Sequence, residues 1–279
     1  MTRRRTFRVR AGGWGTTVLE GGSDGAPVVV LVHDGAYGTD ADLCWGEVAD
    51  GLSGDFHVLA PDLLGWGGSD KVNFFDRSPY DFRLEHLGAL CRTLALDEPV
   101  HFAGVSFGAE LVCRGAAQPR WRWPVRSAVS ITGTGGRMFR VPGGIEQLSD
   151  YDPPTLDGAR RITAMLVEDM AGLDDHVQRR FDNSLTPGHW EALTSLRMRN
   201  PAVERVIPPD DWPEPLRTCE APILFVEGRS DVLLEQGWAA QMAEIAPNGE
   251  SLVIQGGHEP NIDRPGDVVE AIGTFCSRL

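Results

Sequence analysis

The sequence predicts an α/β fold, a mostly parallel, doubly wound sheet with a helical segment inserted late in the chain. Three observations predict it. Short apolar runs recur between segments of helical spacing, and that alternation stops between about Gly135 and Pro215. Ahead of that break, Gly104-Val105-Ser106-Phe107-Gly108 sets a serine between glycines where an apolar run gives way to a helical pattern.

The elements follow in chain order. Thr6 to Arg10 and Thr16 to Glu20, across Gly12-Gly13, read as an edge hairpin. Pro27 to Val32 is a continuous apolar run of the length a strand covered on both faces needs. His57 to Ala60, Val100 to Ala103, Val125 to Ile131, Pro222 to Val226 and Ser251 to Ile254 repeat the pattern. Helical spacing fills Phe82 to Leu96, Glu110 to Gln118, Leu234 to Ile245 and Gly266 to Phe275. Strand alternating with helix implies parallel strands with helices on both faces. The core is therefore placed at residues 1–134 and 215–279, and 135–214 is read as a helical lid, punctuated by Pro142, Pro153, Pro187 and Pro208. Within it Ala159 to Met170, Leu173 to Phe181 and His189 to Met198 space their apolar residues as short amphipathic helices.

Composition narrows the function. With 42% hydrophobic residues in 279, the chain can bury a large core, and a net charge of -14 disfavours nucleic-acid or anionic-membrane surfaces. Five cysteines, odd in number and free of any C-x-x-C pair, indicate neither a disulfide framework nor a thiolate metal site. No apolar run reaches the roughly 18 residues of a membrane span. The reading is a cytoplasmic protein acting on a small molecule, with neither cofactor nor metal; a homodimer stays open.

The serine carries the chemistry. A hydroxyl becomes a useful nucleophile when a sharp strand-to-helix turn projects it toward a base, and flanking glycines permit that turn. The base must be a histidine oriented by a carboxylate. His258 follows the last strand run behind Gly256-Gly257, and Asp231 lies just past the carboxyl end of the preceding strand. Oxyanion donors are expected from the Phe107 N-H, at a helix N-terminus, and the Gly35 N-H in the loop Leu31-Val32-His33-Asp34-Gly35-Ala36, with Ala36 next in line. His33 is read as shaping that loop through backbone hydrogen bonds. Asp34 is expected to point away from the oxyanion site, because a carboxylate there would oppose the developing charge.

Taken together, the loop His33 to Gly38, the run Pro61-Asp62-Leu63-Leu64-Gly65-Trp66-Gly67-Gly68-Ser69-Asp70, the elbow at Ser106, Gly228-Arg229-Ser230-Asp231 and Gly257-His258 resemble the α/β-hydrolase superfamily along nearly the whole chain. Within it the chain is most similar to the meta-cleavage product hydrolases, which split carbon-carbon bonds, and to the related carboxylesterases. The resemblance implies an α/β-hydrolase fold and the triad Ser106, Asp231 and His258. Three positions depart from it. His189 stands before Trp190 where carbon-carbon hydrolases carry a carboxylate-binding arginine, Glu259 follows His258 where tryptophan is usual, and Asp34 replaces a glycine. Arg197 and Arg199 could substitute as carboxylate ligands, but are read as solvated. His189, Trp190 and Phe139 are taken as substrate-binding.

The missing arginine ranks ester or lactone hydrolysis on a hydrophobic acyl or ring group above carbon-carbon cleavage. A non-hydrolytic cyclase or lyase, or a ligand-binding receptor on the same fold, stays open, since fold does not fix function.

Overall fold

The computed structural model describes residues 4–75, 77–149, 154–195, 202 and 209–279. Eight strands form one sheet. The hairpin β1 (Arg5–Ala11) and β2 (Trp14–Gly21) opens the chain, followed by β3 (Val28–Val32), helix α1 (Ala41–Leu52) and β4 (His57–Pro61). Then come α2 (Asp81–Thr93), β5 (Val100–Val105), α3 (Phe107–Ala117) and β6 (Val125–Ile131). Between β6 and the next strand lie α4 (Gly144–Ser149), α5 (Leu156–Leu166), α6 (Asp174–Ser184) and α7 (His189–Thr194), with no strand among the described residues. The chain closes with β7 (Ile223–Gly228), α8 (Trp238–Ile245), β8 (Gly249–Ile254), α9 (Pro260–Asp263) and α10 (Pro265–Ser277).

The sheet order is β1-β2-β4-β3-β5-β6-β7-β8. Only the β1/β2 and β2/β4 pairs are antiparallel. Burial explains the arrangement. On β5 and β7 the side chains alternate between two apolar layers: Val100, Phe102, Ile223 and Phe225 join the layer under α2, α3 and α8. Ala103, Val105, Leu224 and Val226 join the layer under α1 and α10. A strand buried on both faces reads as a continuous apolar run, which is why these strands are visible in sequence. This is the predicted α/β-hydrolase fold.

Local chemistry sets the helix starts near the site. The Asp40 carboxylate caps α1 by accepting from Leu43 N at 2.7 Å, and Thr155 caps α5 by accepting from Gly158 N at 3.0 Å. The predicted helix from His189 ends at Thr194. Met198, Arg197, Arg199, Pro153 and Pro208 lie outside the described residues.

Candidate active site

Parallel pairing collects the reactive loops at one edge of the sheet. Val32 pairs with Gly104, so the loop after β3 stands beside the loop after β5, and Ser106, Asp231 and His258 follow the carboxyl ends of β5, β7 and β8. Crevices at the carboxyl ends of strands are where open α/β sheets hold ligands.

Ser106 sits in a strained turn, with φ 52° and ψ -120°. A non-glycine residue there stores strain that the surrounding packing must hold. The flanking glycines are needed for closeness. A β-carbon on Gly104 would come within 2.5 Å of the Gly108 carbonyl carbon, and one on Gly108 within 2.1 Å of Val32 O. Helix α3 is thereby drawn against the sheet with its N-terminus at the serine.

The three predicted side chains meet. His258 Nε2 lies 2.8 Å from Ser106 Oγ, and His258 Nδ1 lies 2.9 Å from Asp231 Oδ2. The other Asp231 oxygen accepts from Leu233 N at 2.8 Å, and Thr132 Oγ1 donates to the His258 carbonyl at 2.6 Å, so both partners are fixed in orientation. His258 and the Asp231 carboxylate are buried. Such a relay can take a proton from the serine while the carboxylate holds the imidazole with Nε2 free to accept.

The oxyanion candidates also adjoin. A β-carbon on Gly35 would stand 2.9 Å from Phe107 Cβ, so this close approach needs glycine. Phe107 heads α3, where the first amides of a helix have no acceptor within it. The neighbouring Ala36 N-H is already used, donating to Asp34 Oδ1 at 2.6 Å. Asp34 Oδ2 accepts from Thr39 Oγ1 at 2.7 Å, so this carboxylate is turned into its own loop, though it is wholly buried rather than in solvent. His33 shapes the same loop: Leu63 N donates to its Nε2 at 2.9 Å, leaving Nδ1-H to donate to Asp34 O at 2.6 Å.

Above the serine lies a cavity of about 200 Å³. Gly35, Ala36, Ser106 and Phe107 form its floor; Trp66, Ile145, Leu148, Leu166 and Leu193 supply apolar wall; Tyr80, Arg83, Glu110, Arg140 and Glu259 supply polar wall. Helices between β6 and β7 therefore contribute to it directly.

The proposed substrate contacts are placed elsewhere. Among the described residues, the cavity wall does not include His189, Trp190 or Phe139. His189 is a structural strut: Gly38 N donates to its Nε2 at 3.0 Å, and Nδ1-H donates to Gly65 O at 3.0 Å. Burial lowers its pKa to about 4, so it stays neutral near pH 7 and supplies no cation. Trp190 packs edge-on against Tyr37 at 5.8 Å. Phe139 adopts φ 59° and packs against the apolar layer under α3.

Glu259 is the residue the sequence did not explain. Wholly buried, it lies 3.4 Å from the equally buried Arg180, whose Nη1 also donates to Tyr37 O at 3.0 Å. Burial pushes the Glu259 carboxyl well above the usual range; the charge of Asp34 adds to the effect, and Arg180 opposes it. Elsewhere, Glu20, Asp24 and His57 group their oxygen and nitrogen atoms within 4.8 Å, but Glu20 is engaged by Arg5 and His57, and the group is not part of the cavity.

A model of the alpha/beta hydrolase family matches residues 29–271, which take in six of the eight strands and the loops carrying Ser106, Asp231 and His258. The chain belongs to that family. Among relatives of this hydrolase, 2-hydroxy-6-oxo-6-(2'-aminophenyl)hexa-2,4-dienoic acid hydrolase of Metapseudomonas resinovorans is 25% identical over 276 residues, covering 97% of this chain and 90% of the relative. The 2-hydroxy-6-oxo-2,4-heptadienoate hydrolase of Pseudomonas putida is 26% identical, covering 96% and 95%. The solved structure of a mutant meta-cleavage product hydrolase from Pseudomonas fluorescens superposes with TM-score 0.83 at 21% identity, over 98% of this chain and 97% of that one. The Bacillus subtilis carboxylesterase CesB superposes with TM-score 0.78 at 19% identity, over 98% and 92%. The hydrolase is thus similar to both branches in fold. No helix among the described residues is long and apolar enough to cross a membrane.

Proposed function

We propose that this hydrolase cleaves an ester or lactone carrying a compact, largely apolar acyl or ring group, with Ser106 as nucleophile. The carrying observation is the hydrogen-bonded chain Asp231, His258, Ser106 at the floor of the cavity. Ser106 Oγ attacks the carbonyl carbon as its proton passes to His258 Nε2, and the carbonyl oxygen becomes an oxyanion held by the Gly35 and Phe107 N-H groups. Collapse breaks the bond to the leaving alcohol, which takes the proton from His258 and leaves an acyl ester on Ser106. Water, deprotonated by His258, then adds to that ester; the acid departs and Ser106 regains its proton. No metal or cofactor enters this scheme.

Residues 135–214 serve as the cap over a core of 1–134 and 215–279, and their apolar wall selects the acyl group. A cavity of about 200 Å³ favours small substrates over long chains. The molecule works as a cytoplasmic enzyme on a diffusible substrate.

Carbon-carbon cleavage of a vinylogous diketo acid is the second reading, favoured by the dienoate hydrolases that resemble the chain from end to end. Against it stands His189, neutral and fully engaged where those enzymes would need a cation. Comparing aryl esters of short acids with a 2-hydroxy-6-oxodienoate separates the two. Ester turnover with the dienoate inert supports the first reading, and turnover of the dienoate alone reverses the order.

A further inference from the structure

The polar wall of the cavity is built rather than scattered. Glu110 lies four residues beyond Ser106 on α3, its own N-H donating to Ser106 O at 3.0 Å. One Glu110 oxygen receives Arg140 Nη2 at 2.7 Å, and the other receives the Tyr80 hydroxyl. Burial and the charge of Glu110 push the Tyr80 phenol upward, so it remains an O-H donor across the working pH range. Tyr80 is itself held by ring contact with Phe107 at 5.4 Å and by the Arg114 guanidinium 4.6 Å from its ring centre. The segments of Tyr80 and Arg140 thus converge on one α3 carboxylate that borders the cavity.

Two consequences follow for what can bind there. Both Glu110 oxygens already accept from protein donors, which holds the carboxylate in place. A guanidinium offers five N-H groups, and Glu110 and Tyr80 engage only part of them, so Arg140 has donors to present to the cavity it lines. The adjacent carboxylate offsets its charge, so a substrate anion would meet attraction from Arg140 and repulsion from Glu110 together. A neutral oxygen takes the hydrogen bond without that repulsion.

We propose that Arg140, oriented by Glu110 and Tyr80, is a specificity-determining residue that binds a neutral oxygen acceptor, a ketone or hydroxyl, on the substrate. Glu110 stands one helical turn, about 5.4 Å of rise, beyond Ser106, and that spacing sets the probe: an acceptor three or four carbons from the carbonyl attacked by Ser106. This rests on the reading of Ser106 as nucleophile, and it narrows that reading to acyl groups with a polar far end.

The test uses three acyl groups of matched length: p-nitrophenyl pentanoate, p-nitrophenyl 4-oxopentanoate and mono-p-nitrophenyl succinate. The wild type should favour the 4-oxo ester over the pentanoate by about tenfold in kcat/KM, chiefly through KM, and should not favour the succinate over the 4-oxo ester. Arg140→Met should bring the 4-oxo to pentanoate ratio close to one, and Arg140→Lys should restore part of it. Glu110→Gln, by removing the opposing charge, should raise the succinate relative to the 4-oxo ester. A 4-oxo preference that survives Arg140→Met, or a wild type that prefers the succinate, overturns the proposal. Binding of methyl 4-oxopentanoate and methyl pentanoate to Ser106→Ala, followed by fluorescence with Trp66 in the cavity wall, reads the same pole without turnover. A tighter Kd for the oxo ester, lost when Arg140→Met is added, supports the pole even if no ester is hydrolysed; equal Kd values overturn it.

Discussion

Arg180 reaches Glu259, the residue directly after His258, across 3.4 Å with both side chains wholly buried. The same guanidinium donates to the Tyr37 carbonyl, in the loop that also carries Gly35. A helix outside the sheet thereby joins the loop of His258 to the loop of Gly35. Leu166 O, at the end of α5, accepts from Glu259 N at 2.7 Å and reinforces the connection. This part of the insertion braces the reactive loops.

Removing that brace should be costly. Arg180→Met strips a buried cation from beside Glu259, and losing one member of a buried ionic group typically destabilises by about 3 kcal/mol or more. Urea unfolding should show that loss as a lower midpoint at unchanged slope. If the variant still folds, its kcat should fall because the loops of Gly35 and His258 lose that brace, and its KM should rise because Gly35 and Glu259 line the cavity. An unchanged midpoint would mean that the pair contributes nothing to stability.

Gly35 offers a separate handle on the oxyanion site. A methyl group there would collide with Phe107 Cβ at 2.9 Å, so Gly35→Ala must push the loop away from the head of α3. Loss of one oxyanion donor costs roughly 10² to 10³ in kcat. Steady-state kinetics should therefore show a fall of that order with KM little changed. A variant within threefold of wild type would remove Gly35 from the oxyanion site.

Buried histidines give the stability a defined dependence on pH. His86 donates or accepts across 2.8 Å to Thr16, its other ring nitrogen is buried without a partner among the described residues, and burial lowers its pKa to about 4. The unfolded value is near 6.5. Between these values the unfolded chain binds a proton that the folded one refuses, so the contribution of His86 is present above about pH 6.5 and lost as pH falls toward 4. His86→Gln should consequently be destabilised relative to wild type at pH 7.5, with the gap narrowing by about 2 kcal/mol by pH 4.5. A gap independent of pH in denaturant unfolding would contradict this.

The contrast between what the chain announces and what it conceals has physical causes. Strands β3, β5 and β7 are legible because burial on both faces gives them largely apolar runs, and Ser106, Asp231 and His258 are legible because each follows the end of a strand behind glycines or a turn. Helix α1 is weakly marked: eight of its twelve residues are buried, and its exposed positions Glu47, Asp50 and Gly51 form only a short stripe near its end. The wall made by Tyr80, Glu110 and Arg140 could not be read, because its members are 30 residues apart in each step and share no pattern. Glu110 alone carried a signal, one helical turn beyond Ser106. The sequence position of His189 points to substrate, and in the structure both of its ring nitrogens are occupied by the backbone at Gly38 and Gly65.

The central claim is that Ser106 is the nucleophile, and the turnover of purified Ser106→Ala on the best ester of the panel tests it most directly. The serine hydroxyl lies 2.8 Å from His258 Nε2, so its removal leaves the base with nothing to activate while the cavity and oxyanion donors persist. The account predicts a fall in kcat approaching 10⁶, the scale seen when a triad serine is lost, with the fold and melting temperature retained. A folded variant that keeps more than about a tenth of wild-type activity would contradict it.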